Sequence, residues 1–77
     1  MIYKFYSNTC LPCKQLTAFL EHNSVNVVNV NIADEQNAAL IEKFGVMSVP
    51  VLARESGEKI VGFNATLIPQ IKEFLSL

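Results

Sequence analysis

The chain has 77 residues, 51% of them hydrophobic and 17% charged, with a formal net charge of −1. That length predicts one domain spanning 1–77, near the lower limit at which a single core stabilises a chain without staples, and the apolar content excludes disorder. Acidic and basic residues are interspersed, which excludes a nucleic-acid surface, and no apolar run is long enough for a membrane-spanning helix.

Ile2–Tyr6, interrupted only by Lys4, is predicted as a first strand. Because the chain enters this strand at once, no signal peptide is expected and a cytoplasmic location is predicted. Ser7-Asn8-Thr9 is a polar loop leading to Cys10-Leu11-Pro12-Cys13. From Leu11 to His22 the pattern is helical: Leu16, Phe19 and Leu20 share a face with Pro12 or Cys13, while Lys14, Gln15 and Glu21 face away. Asn23-Ser24 ends that helix, and the β-branched run Val25–Ile32 reads as a second strand.

Asp34 is a suitable N-cap for the next helix, with Glu35 in its first turn. Ala38, Leu40, Ile41 and Phe44 supply its apolar surface, and Gly45 is placed to end it in a left-handed conformation. Val49–Arg54 and Lys59–Val61 are predicted as strands joined by a hairpin turn at Glu55-Ser56-Gly57-Glu58. The last helix is placed at Thr66–Ser76, with Thr66 as N-cap, Pro69 in the first turn, and a buried stripe of Leu67 or Ile68, Ile71, Phe74 and Leu75. The resulting order β-α-β-α-β-β-α predicts an α/β fold: a four-stranded mixed sheet with three helices, the first two strands parallel and the last two antiparallel.

Cys10 and Cys13 are the only cysteines, and their C-x-x-C spacing at a strand-to-helix junction reads as a redox motif. A thiol reacts as its thiolate, and a helix N-terminus offers unpaired N–H groups and a favourable dipole to that charge. Cys10 is therefore the candidate nucleophile and Cys13, one turn further in, the resolving thiol. Cys10 would attack a substrate disulfide; Cys13 would then attack Cys10, releasing reduced substrate and leaving a Cys10–Cys13 disulfide. Pro12 fixes φ directly before Cys13 and donates no hydrogen bond.

Other readings of the pair remain open at this point. Zinc needs two ligands beyond the cysteines, and His22, the sole histidine, lies at the far end of the helix. A zinc or iron–sulfur site shared across a dimer would use the same thiols. A purely structural disulfide would close a loop too short to remove much chain entropy.

The segment Lys4-Phe5-Tyr6-Ser7-Asn8-Thr9-Cys10-Leu11-Pro12-Cys13-Lys14 resembles the active-site segment of thioredoxins, and Phe44-Gly45-Val46-Met47-Ser48-Val49-Pro50-Val51-Leu52 resembles their cis-proline loop. The likeness extends through Gly57-Glu58, Val61-Gly62 and Ile71–Leu75, and the chain's size is that of small glutaredoxin-like redoxins. The resemblance implies the thioredoxin-like fold and a cis Pro50 packed against the dithiol, with the backbone of Val49 offered to an extended substrate. Gly62 and Phe63 match the Gly-Phe stretch of redoxins serving ribonucleotide reductase. Thr9 stands where thioredoxins carry tryptophan and Leu11 where they carry glycine; Tyr6 lies on the same active-site segment. Lys4 replaces a buried aspartate of thioredoxins that accepts the resolving thiol's proton, and Asn29 falls near that aspartate's lysine partner. The Lys4 amine either remains charged near the sulfurs and raises the thiolate population or snorkels to solvent.

The resemblance thus implies a thiol–disulfide oxidoreductase that reduces protein disulfides, ribonucleotide reductase among the candidates, and is recycled by a thioredoxin-reductase-like flavoprotein. The expected protein is a monomer needing no metal or other cofactor. Glutaredoxins carry a Gly-Gly-x-Asp-like glutathione segment, whereas Val61–Thr66 has one glycine and no acid. A glutathione-coupled glutaredoxin is the enzymatic alternative, and a metal- or cluster-carrying dimer the alternative of another class.

Overall fold

The computed structural model describes residues 1–77. Its strands are β1 (Ile2–Tyr6), β2 (Val28–Asn31), β3 (Val51–Arg54) and β4 (Lys59–Val61), and its helices are α1 (Leu11–His22), α2 (Ala38–Phe44) and α3 (Ile68–Phe74). The four strands form one sheet in the order β2-β1-β3-β4. β1 runs parallel to β2, as a helical crossover requires, and antiparallel to β3, which pairs antiparallel with β4. The predicted element order and mixed sheet are both present.

Alternation along the two central strands divides the core in two. Phe5, Val51 and Ala53 point to one face, where they meet Val30 and Phe44 of α2. Leu52 points to the other and packs with Leu16 and Leu20 of α1 and Ile71 and Phe74 of α3. Lys4 lies opposite Leu52 in the register and so projects towards α1.

Several boundaries differ from the sequence expectation. β2 begins at Val28 rather than Val25 because Ser24, at φ 55°, and Val25 close the end of α1. The Ser24 N–H donates to Glu21 O at 3.1 Å and the Val25 N–H to Leu20 O at 2.9 Å, the double closure of a Schellman turn. β3 starts at Val51, since Pro50 has no N–H to contribute to the ladder and follows a cis Val49–Pro50 bond. Asp34 does cap, accepting from the Gln36 N–H at 3.0 Å, but a 3-10 turn at Glu35–Asn37 intervenes before α2. Thr66 is not the cap of the last helical segment. Asn64 takes that role, its Oδ1 accepting from Thr66 N at 3.0 Å and Leu67 N at 3.1 Å, because a 3-10 turn at Ala65–Leu67 precedes α3.

Candidate active site

β1 delivers the chain at Tyr6 to a short polar loop, and α1 begins immediately after Cys10. Cys10 is the N-cap: its backbone is extended at φ −105°, ψ 108°, and its Sγ accepts the Cys13 N–H at 3.1 Å. The sulfur thus occupies the place of the side-chain oxygen that ordinarily satisfies a free N–H at a helix start. Pro12 fits this first turn because its missing N–H is not needed there. Cys10 and Cys13 are joined in a disulfide, with Cα atoms 5.2 Å apart. Their surroundings differ: Cys10 is half-buried, whereas Cys13 is 2% exposed on the inner face of α1. Between them Leu11 is exposed.

The sheet places the second motif at the same end of the molecule. Phe5 pairs with Val51, so Pro50 follows the register towards the end of β1 that feeds Cys10. Pro50 is fully buried, and its carbonyl accepts the Gly62 N–H at 2.7 Å. Gly62, at φ 93°, turns the chain out of β4, and Phe63 then meets Phe19 of α1 with ring centroids 5.7 Å apart. Sheet register therefore places Val49, Pro50, Gly62 and Phe63 at the end of the sheet from which β1 leads to Cys10. Met47, in the loop before Pro50, is almost fully exposed.

A cleft of about 410 Å³ opens beside the buried sulfur, lined by Lys4, Tyr6, Ser7, Asn8, Cys13, Lys14, Thr17 and Asn29. Lys4 does not snorkel: the residue is 5% exposed, and its Nζ donates to Thr17 Oγ1. The Thr17 hydroxyl in turn donates to the Cys13 carbonyl at 3.0 Å. The Lys4 Nζ also lies 5.5 Å from the centroid of the Tyr6 ring. Burial lowers the Lys4 pKa from its usual 10.5, while the negative charge of Glu21 opposes that shift. Asn29 stands directly across from Lys4 on β2. Of the expected site residues, Lys4, Tyr6 and Cys13 meet in this cleft; Thr9, Leu11, Pro12, Val49, Pro50, Gly62 and Phe63 lie outside its lining. Thr17 escaped the sequence reading, although its position four residues after Cys13 placed it one helical turn along the same face. No group of three or more His, Cys, Asp and Glu side chains converges to form a metal-ligand set.

Comparison with known proteins bears on this geometry. The glutaredoxin family model matches residues 1–60. A thioredoxin of Streptomyces clavuligerus is 36% identical over 66 residues, covering 79% of this chain; the chain spans 60% of that relative's length. The SPbeta prophage-derived thioredoxin-like protein YosR of Bacillus subtilis (strain 168) is 31% identical over 75 residues, 91% of each chain. Among solved structures, the thioredoxin-like protein BC3987 superimposes with a TM-score of 0.74 at 25% identity, covering 92% of this chain and 99% of its own. A glutaredoxin from Archaeoglobus fulgidus gives a TM-score of 0.72 at 26% identity, covering 94% of this chain and 82% of its own. The fold is thioredoxin-like, and the chain belongs to the glutaredoxin family of thiol–disulfide oxidoreductases, as a small thioredoxin-like redoxin.

Proposed function

We propose that this redoxin reduces protein disulfides, with Cys10 as nucleophile and Cys13 as resolving thiol. The observation that carries the assignment is the asymmetry of the pair. The Cys10 sulfur is partly accessible and takes a helix N–H, whereas Cys13 is enclosed. Reduction of the disulfide leaves Cys10 where backbone donors favour its thiolate. A substrate sulfur reaches Cys10 first, and Cys13 acts only once a mixed disulfide has formed.

The backbone of Val49 supports strand-like substrate recognition. Neither its N–H nor its carbonyl hydrogen-bonds within the chain, so both are free for an extended segment. Exposed Leu11 and Met47 supply apolar contact on that approach. Pro50 and Gly62 hold this side of the site in register, and Phe63 backs it. Pro12, Thr9 and Tyr6 shape the turn that presents Cys10.

Reduction by a thioredoxin-reductase-like flavoprotein fits the absence of an acidic glutathione-binding group in Val61–Thr66. The glutaredoxin family match favours a second reading, recycling by glutathione; that match covers residues upstream of Val61. NADPH-driven reduction of the oxidised protein, measured with thioredoxin reductase and separately with glutathione and its reductase, decides between them. Turnover is expected with the flavoprotein alone, and turnover with glutathione alone overturns the assignment. The residue roles have their own test. Cys13→Ser is expected to accumulate a mixed disulfide with a protein substrate such as insulin, and Cys10→Ser to form none. An adduct through Cys13 in the Cys10→Ser protein would reverse the assignment.

A further inference from the structure

A buried amine beside a buried sulfur is left unexplained by the exchange at Cys10. Lys4 is one of the central-strand residues, is 5% exposed, and makes a single hydrogen bond, to Thr17 Oγ1. The Thr17 proton is already committed to the Cys13 carbonyl, so the amine must be the donor in that contact. An ammonium has three N–H groups, and only one is used here. Lys4 and Cys13 both line the same polar cleft, which has room for water. Cys10 draws its hydrogen bond from the backbone at the helix start. Cys13 lies in the first turn of α1 with its own N–H committed to Cys10 Sγ, and no hydrogen bond reaches its sulfur.

We propose that the Lys4 ammonium is the counter-ion of the Cys13 thiolate, acting on the resolving half of the exchange and not on the first attack. The proposal rests on the assignment of Cys13 as resolving thiol. In the mixed disulfide, the Cys13 Sγ–H proton passes to cleft water, and the Lys4 ammonium stabilises the thiolate left behind. The Cys13 thiolate attacks Cys10 Sγ, a Cys10–Cys13 bond forms, and the Cys10–substrate S–S bond breaks. The electron pair leaves with the substrate sulfur as thiolate, which is thereby reduced, while the two protein sulfurs are oxidised. The departing substrate thiolate can take that proton back from water, and Lys4 remains an ammonium throughout. Tyr6 and Lys14 border the cleft, and Glu21 acts on the amine from α1; the strand neighbours Asn29 and Leu52 are uncharged.

The two half-reactions separate when reduced protein is rapidly mixed with dithiobis(nitrobenzoate), at concentrations where the first release is complete before the second. The first release of coloured thiolate reports Cys10 and the second reports Cys13. In Lys4→Met the first phase should keep its rate and pH profile. The second should slow about tenfold at neutral pH, with its pH midpoint raised by about one unit, the effect of removing one nearby charge. Lys4→Arg keeps the charge and should stay nearer to wild type in its second phase. Thr17→Val, which keeps the amine but removes its anchor, should shift the second phase in the same direction by a smaller factor. This last variant tests the proposal even if Lys4→Met does not fold. An unchanged second phase in folded Lys4→Met, or equal slowing of both phases, overturns the role assigned to Lys4. Absence of the first phase from wild type instead overturns the assignment of Cys10 on which the proposal stands.

Discussion

Lys4 interrupts an otherwise apolar strand, and its surroundings set a second consequence beside the catalytic one. Its charged form is desolvated by burial, and Glu21 restores only part of the loss, so its pKa falls below 10.5 in the folded chain. For a basic group the sign follows directly. Between the lowered folded value and the unfolded one, the unfolded chain binds more protons, so stability rises with pH through that window. Below the folded value the full destabilisation is present. Lys4→Met is therefore expected to stabilise the oxidised protein at neutral pH by about 1–2 kcal/mol, since an apolar chain of similar length replaces a poorly compensated charge. Urea denaturation at neutral and at alkaline pH tests this, and the gain should shrink as pH approaches the ordinary lysine range. A variant that gains stability while its resolving step slows would mark Lys4 as a residue kept for chemistry at the expense of stability.

Helix ends are where element-scale reading of this chain succeeds or fails. All three helices close with a residue at positive φ: Ser24 at 55°, Gly45 at 62° and Ser76 at 60°. Asn23-Ser24 is legible as the end of α1, but only Gly45 is legible as a left-handed closure, because glycine alone among these adopts that conformation without a Cβ penalty. Nothing in the sequence marks the left-handed turn at Ser24, and so the second strand is expected from Val25, three residues before it begins. Asn64 was missed for a related reason. Thr66 is also a capping residue by type, and nothing in the pattern announces the 3-10 turn that shifts the cap upstream. Element order, the dithiol and the cis-proline loop were legible because each has a local signature in residue type or spacing. The Lys4–Thr17–Cys13 chain was not, because it requires knowing that β1 packs against α1 at that height. The capping argument predicts that Asn64→Ala loses about 1 kcal/mol, whereas Thr66→Ala loses less. Gly45→Ala should cost about 1 kcal/mol through its positive φ. Chemical denaturation of the three variants provides the ranking, and a larger loss for Thr66→Ala than for Asn64→Ala would contradict the cap assignment.

At the scale of the whole molecule, the sheet carries a separate apolar cluster on each face, and β1 and β3 contribute to both. A short chain cannot maintain two independent small cores, because neither alone buries enough apolar surface to offset the conformational entropy of the elements it holds. The clusters are therefore expected to melt together. Ile71→Val weakens the α1–α3 side and Phe44→Leu the α2 side, each by about 1 kcal/mol. For a domain of this size each should lower the melting temperature by about 4–8 °C without broadening the transition into two steps. The chain has no tryptophan and two tyrosines, which makes the test specific to each face. Tyr3 packs on the α2 side, its ring 5.4 Å from that of Phe44, while Tyr6 borders the cleft beneath α1. Fluorescence from Tyr3 alone, in Tyr6→Phe, and from Tyr6 alone, in Tyr3→Phe, should give melting curves that coincide with each other and with circular dichroism. The coincidence should survive either core substitution. If Phe44→Leu lowered only the Tyr3 transition, the faces would be separable, and the shared central strands would not couple the α2 side to the dithiol.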